Sequence, residues 1–447
     1  MNNYLLNKVG KRARLTLSAC ALAVLSLPTQ AQTLEECQQA AERNYPLIRQ
    51  YSLIERTTEL TVANIKKGWL PQVTAQAQAS LQSDVTAWPG EMLGMMQQLG
   101  VKMAGLKKDQ YRVGVDISQT IYDGGNISLQ QEIARRQGEV EAAQTESSLY
   151  GVRRRVNEMY FGLLLLDEQI EQNQSLQQLL ASNEQKLASM LKHGTAAQSD
   201  YNAVKAERLR AAQTMSSLHA QRQTLARMLS VFCGIEVGRE LQLPVPGGTA
   251  DTGVAALAAS GWEVERPELK ALDAQLRLTD AKEKALDAAL KPRLGLFAQG
   301  YYGYPGLNMF DDMMRHRWSL NGIVGARLTW NIGALYTRRN DKVALSTQRD
   351  MLNTQREVFL FNNGLEKTQQ YEDIERYRQL MADDEEIIEL RSSVRKAAES
   401  KLAHGIIDVN SLITEINNEI AARQQQKVHE IEMVKEFYEL KTTINHP

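Results

Sequence analysis

The chain has 447 residues and is close to neutral, with 52 Lys+Arg against 53 Asp+Glu. Residues 1–31 hold four of the cations (Lys8, Lys11, Arg12, Arg14) and no acid, so without them the balance is 48 against 53, or minus five, and nothing in it suggests a nucleic-acid surface. Beyond that segment two cysteines remain, Cys37 and Cys233, too few for a four-thiolate zinc cage.

The basic start, an apolar run from Leu15 to Leu27 and small residues at Thr29 and Ala31 read as a signal peptide cut after Ala31. The run is too short to cross a bilayer, which takes about 20 residues. Leu17-Ser18-Ala19-Cys20 is spelled like a lipoprotein box, but the apolar run lies mostly after Cys20, the wrong side for lipidation. Export places Cys37 and Cys233 in an oxidising compartment, where a disulfide between them and two buried thiols are equal alternatives.

Thr33 to Leu70 is patterned as helix with a break at Tyr45-Pro46, and after Pro71 the pattern changes to strand. Val73 to Leu81 alternates apolar and polar strictly, and Tyr111 to Thr120 alternates again. Between them Gln82–Gln110 is a long loop with Trp88-Pro89-Gly90 and a methionine-rich piece, Met92, Met95, Met96, Leu99 and Met103. The return strand runs through Tyr122-Asp123-Gly124-Gly125, whose glycines allow a sharp strand-to-helix corner.

Asn126 to Leu191 contains no proline. It reads as one helix of about 100 Å at 1.5 Å per residue. Leu149, Val152, Val156, Met159, Leu163, Leu166 and Ile170 are spaced alternately by three and four, the seam of a coiled coil. His193-Gly194 ends it, and a return helix follows from Ser199 to about Phe232. A pattern break over 233–266, with Leu243-Pro244 and Gly247-Gly248, reads as a linker wrapping the outside, carrying a short helix over Thr252–Ser260.

The design then recurs. Gln137, Gln144, Leu149, Tyr160, Leu179, Leu191, His193, Gly194 and Gln213 are matched 211 places on by Gln348, Gln355, Leu360, Tyr371, Leu390, Leu402, His404, Gly405 and Gln424. Pro46 and Pro71 are matched 221 places on by Pro267 and Pro292. We read a tandem duplication, residues 32–232 and 267–447, whose first hairpin (about 71–122) is ten residues longer than its second (about 292–332). The second hairpin alternates through Leu294, Leu296 and Ala298, then Leu320, Val324 and Leu328, turns helical at Asn331-Ile332-Gly333, and returns from the His404 tip by a helix from Val409.

These strands have the length and dyad pattern of tilted membrane strands, and a soluble sandwich alternates in the same way. Edges separate the two. Four strands cannot close a barrel, and lipid does not tolerate bare edges, so a membrane sheet requires several chains to pool strands; three copies give twelve. Trp69, Tyr301, Tyr302, Tyr304, Trp318 and Trp330 fall near strand ends, where interfacial girdles sit. In the second loop Asp311, Asp312 and His316 are weak as metal ligands and read as solvated charge. Arg153–Arg155 reads likewise, while Asp383–Glu386 is either a solvated face or a lining of a lumen.

The repeat, Leu70-Pro71 and Lys291-Pro292 before the hairpins, the Asp123-Gly124-Gly125 corner, Leu328-Thr329-Trp330-Asn331-Ile332-Gly333 and the two tips together resemble the TolC family of outer-membrane efflux proteins. The resemblance implies a mixed α/β membrane protein of Gram-negative bacteria: a homotrimer with a twelve-stranded outer-membrane barrel in lipid, continued by a periplasmic helical coiled-coil barrel. It implies an exit duct for drugs or proteins, joined through a periplasmic adaptor to an inner-membrane pump. It involves no cofactor, metal or catalytic residue, and no nucleophile elbow, HExxH or P-loop is found in the sequence. His193, Gly194, Thr195, His404, Gly405 and Ile406 would be the adaptor-docking tips. The closing aperture is where the pattern departs: Asp200 matches a family aspartate, Ser411 replaces its counterpart, and Asp408 and Glu415 lie off register. A periplasmic coiled-coil adaptor or a structural rod is the alternative reading; a rod explains the helices but not two alternating hairpins.

Overall fold

The computed structural model describes residues 33–100, 104–237, 241–244 and 264–445. The expected signal peptide, Cys20, Met103, the linker's Gly247-Gly248 and its short helix over Thr252–Ser260 lie outside the described residues. In chain order the elements are α1 (Leu34–Asn44), α2 (Arg49–Lys66), β1 (Gln72–Leu81), α3 (Gly90–Gln98), β2 (Asp109–Tyr122), α4 (Asn126–Lys192) and α5 (Gln198–Cys233). Then follow α6 (Pro267–Ala289), β3 (Arg293–Tyr304), α7 (Met309–Arg315), β4 (Ser319–Thr329), α8 (Ala334–Ala403) and α9 (Val409–Ile444). No described helix is long and apolar enough to cross a membrane.

The chain divides into two compact units, one of Arg49–Ser147 with Pro267–Phe361, the other of the remaining segments. The first holds the sheet. Its strands pair antiparallel in the order β1-β2-β3-β4, so β1 and β4 are both free edges. Register aligns the alternation across all four strands. One row runs Val73, Ile117, Ala298, Val324 and another Ala77, Val113, Tyr302, Leu320, all on one face. The opposite face runs Gln78, Arg112, Gly303, Ser319 and Gln76, Gly114, Tyr301, Asn321. A slip of one residue in any strand would mix the faces, which is why hydrophobic pattern fixes register. The apolar face is left open: Leu320 is 83% and Val324 84% exposed.

Beside the sheet, the same unit carries an ion-pair ladder between α6 and α8. Asp273 bonds Arg356 at 2.9 Å, Asp280 bonds Arg349 at 2.9 Å, and Asp287 bonds Arg338 at 2.7 Å and Lys342 at 3.2 Å. Glu283 joins Arg349 as well. Two turns of helix separate Asp273, Asp280 and Asp287, as they do Lys342, Arg349 and Arg356, so each acid faces a base along antiparallel helices.

The loops after β1 and β3 pack on each other through Trp88 and Phe310, whose rings lie 5.3 Å apart. Here two expectations are corrected, that of solvated loop charge and that of the aromatic girdle. Asp312 is not solvated: it is buried and accepts the Gly306 N–H at 2.5 Å. His316 bonds the Gly105 carbonyl through Nε2 at 2.8 Å, while Asp311 pairs with Arg315 and Arg317. Tyr304 is buried with its hydroxyl accepting the Lys107 N–H at 2.9 Å, and Tyr301 lies on the polar face, so neither belongs to an outward girdle.

The second unit has the larger core. Val152, Val156, Tyr160, Phe161 and Leu163 of α4 are buried with Leu34, Cys37 and Ala41 of α1, Leu229 of α5, Ile374 of α8 and Phe437 and Leu440 of α9. Burying each such large side chain contributes about 2 kcal/mol. The coiled-coil seam is thus widened at its middle, because α1 covers a second side of α4: Tyr160 and Phe161 lie outside the predicted seam and are fully buried. Several polar groups inside are paired, although Thr443 Oγ1 is buried without a hydrogen-bond partner. Asn157 accepts from Gln38 at 2.6 Å and donates to Glu439 at 3.2 Å, and burial raises the Glu439 carboxyl against Asn157 and Arg154. Of the basic run, Arg153 pairs with Glu42 at 2.5 Å and Arg154 with Glu366 at 3.4 Å. Of the acidic run, Asp384 alone is buried, bonded to His429 Nδ1 at 2.8 Å. Cys37 and Cys233 are free, buried thiols, with Cys233 Sγ 3.4 Å from the Cys37 carbonyl.

Candidate functional site: helix tips and sheet corners

Both long helices end in the same way. Gly194 and Gly405 have φ of +73° and +69°, which a side chain resists and glycine does not. Gly194 N donates to Leu191 O at 3.0 Å and Thr195 N to Met190 O at 2.9 Å. Gly405 N donates to Leu402 O at 3.0 Å and Ile406 N to Lys401 O at 2.9 Å. These are two copies of the Schellman closure, which satisfies the last carbonyls of a helix.

The histidines complete the closures. His193 Nδ1 lies 2.8 Å from Ser189 O and His404 Nδ1 lies 2.7 Å from Ser400 O. A carbonyl can only accept, so Nδ1 is the donor in both contacts. The six tip residues expected to dock a partner, His193, Gly194, Thr195, His404, Gly405 and Ile406, are all exposed, and Ile406 offers 70% of its surface.

The carboxylates named for an aperture are engaged locally. Asp408 caps α9, accepting the Ser411 N–H at 2.7 Å, and bonds to the Ser411 hydroxyl and amide hold its carboxyl below the ordinary carboxylate value. Asp200 stands at the third position of α5 and accepts the Ala197 N–H at 3.3 Å; Ala197 has no side-chain acceptor, so only half of a capping box forms. Glu415 takes Arg391 at 3.8 Å and Asn418 at 3.3 Å. Asp200 and Asp408 thus stabilise helix starts, whereas Glu415 links α9 to α8.

Behind the tips lies a pair of rungs that sequence reasoning missed. Glu184 of α4 bonds Arg208 of α5 at 2.5 Å. At the corresponding places 211 residues on, Arg395 of α8 bonds Glu419 of α9, with the signs exchanged. Aligning the charged residues of the two repeats position by position would have exposed it, since opposite signs at matched places are visible in the sequence.

The corners differ from each other. Asp123 is buried with one carboxylate oxygen on Gly125 N at 2.8 Å and the other on Ile127 N at 2.5 Å, starting α4. Gly124 and Gly125 have φ of +72° and +91° as expected. Gly333 does not adopt positive φ. There the chain turns with ordinary backbone, Leu335 N donating to Ile332 O at 3.1 Å and Tyr336 N to Gly333 O at 3.0 Å.

No protein-family profile and no curated protein matches the sequence. Solved structures do match the fold. The outer-membrane channel OprN aligns with a TM-score of 0.67 at 15% identity, over 93% of this chain and 90% of that one. The outer-membrane protein VceC of Vibrio cholerae gives 0.63 at 11% identity, over 92% and 95%. The Campylobacter jejuni CmeC outer-membrane channel gives 0.62 at 11% identity, over 93% and 86%. With near-complete coverage in both directions, two hairpins in one sheet and two long helices closed by matching tips, the chain has the fold of the TolC family of outer-membrane channels.

Proposed function

We propose that this chain is the outer-membrane exit channel of a tripartite efflux or type I secretion machine. Three copies pool their sheets into a twelve-stranded barrel in outer-membrane lipid, and their helices continue as a periplasmic tube. A periplasmic adaptor docks at the tips and joins the channel to an inner-membrane pump. The observation that carries this reading is the four-stranded sheet with an open apolar face and two unguarded edges. Soluble sheets protect their edges with charge, proline or bulges; β1 has neither charge nor proline, and β4 has one charge, Arg327. Such edges suit pairing with β4 and β1 of neighbouring copies, and the exposed Leu320, Val324 and Val73 suit lipid. The exposed His404-Gly405-Ile406 and His193-Gly194-Thr195 closures are matching knobs for an adaptor. Asp200, Asp408, Ser411 and Glu415 lie near these tips, at the tube's periplasmic mouth in this reading.

The test is the state of the protein extracted from outer membranes in mild detergent. A trimer that resists dissociation until boiled, and that conducts in planar bilayers, supports the channel. A monomer that remains in the soluble fraction overturns it.

A further inference from the structure

The charge on the polar face of the sheet is mostly positive. Its charged side chains among the described strand residues are Arg112, Arg293 and Arg327 against Asp116. The three arginines are exposed, and no ion pair holds any of them among the described residues. Two rest on aromatic rings of the same face: Arg112 lies 5.7 Å from the Tyr301 ring centre and Arg327 4.9 Å from that of Phe297. Such contacts orient a guanidinium while leaving its charge unneutralised. Asp116 accepts the Gln76 amide at 2.5 Å.

At the foot of this face is a groove of about 350 Å³ lined by Arg293, Arg327, Ser118, Thr120 and Thr329. The carboxylate in its wall, Asp123, is buried with both oxygens on backbone amides. An arginine on the apolar face would serve to hold lipid phosphate. These lie on the opposite face, which in a closed barrel is the lumen.

We infer that the lumen side of the sheet makes this conduit prefer anions, so that small organic anions are the cargo it passes most readily, with Arg293 and Arg327 as the contact at its inner end. The inference rests on the channel reading above. Per chain the arginines outnumber the acid three to one, and three copies set nine against three around one water-filled path. In a confined lumen, rings of arginine raise the local concentration of anions and exclude cations.

The purified full-length protein is reconstituted in planar bilayers and its reversal potential measured across a potassium chloride gradient. The expected result is a chloride-to-potassium permeability ratio above about 2, falling at least about twofold in the triple variant Arg112→Gln, Arg293→Gln, Arg327→Gln. Asp116→Asn, which removes no arginine and disturbs one exposed amide contact, raises the ratio and keeps the test decisive if the triple variant does not assemble. A cation-preferring protein, or a ratio that none of these changes moves, overturns the inference and leaves the channel standing. Absence of any conductance removes the channel reading and this inference with it.

Discussion

Arg395 and Glu419 form a nearly enclosed ion pair between α8 and α9, with side chains 14% and 6% exposed. Glu419 also takes Arg423 at 2.8 Å, and Arg395 takes Glu399 at 2.8 Å. The matching rung of the first repeat, Glu184 with Arg208, carries the signs the other way round. Cross-pairing α4 with α9 at this level would set Glu184 against Glu419, a like-charge contact that disfavours that mispairing.

Removing one partner strands the other in a poorly solvated place. Glu419→Gln should lower stability by about 2–4 kcal/mol. The apolar pair Arg395→Met with Glu419→Leu should cost less than Glu419→Gln alone, as read by thermal unfolding in detergent. Burial alone would raise the Glu419 carboxyl, but Arg423 and Arg395 hold it below the ordinary 4.5. With the folded value depressed, this contribution is complete above about pH 4.5 and is lost as pH falls through the folded value. Wild type and Glu419→Gln should therefore converge in stability under acid.

At the tips, Gly194→Ala and Gly405→Ala should each cost about 1 kcal/mol. No atom lies within 4 Å of a Cβ placed at either position, so the cost is backbone strain alone. Asparagine, which tolerates the left-handed region, should cost less than alanine at the same places. Equal losses for alanine and asparagine would argue for a steric cause instead.

The first corner separates strain from collision. Gly125 has open space around it, whereas a Cβ on Gly124 would fall 2.6 Å from Lys291 Cβ. Gly124→Ala should therefore reduce folded yield more than Gly125→Ala. Gly333→Ala, where φ is not positive, should be milder than both.

Cys37 and Cys233 are 0% and 2% exposed. Native protein should resist alkylation at Cys37 and Cys233, and after unfolding without reductant both should be modified. A single linked peptide pair by mass spectrometry would instead reveal a disulfide between them.

Local chemistry made much of this protein readable in one dimension. The absence of proline and the three-four spacing fix α4, and strict alternation fixes four strands, because both periods are properties of the backbone. The tip closures were legible for the same reason: a helix end followed by glycine is a local event. Less legible were features whose partners are distant in sequence. Asp384 lay within a run of four acids that reads as surface, and only packing against α9 buries it on His429. Asp312 read as solvated until two loops folded over it. Gly333 showed that a glycine permits positive φ without requiring it.

The sequence by itself therefore determined the elements, their order, the two faces of the sheet and the resemblance that names the fold. Tertiary structure alone decided that α1 would widen the core to Tyr160 and Phe161, and that exchanged signs would meet across the two helical hairpins. It also gathered the unpaired arginines of β2, β3 and β4 on one face. The physical reason is range: period and turn geometry act within a few residues, whereas a buried contact or a summed charge depends on strand register and helix packing across hundreds of residues of chain.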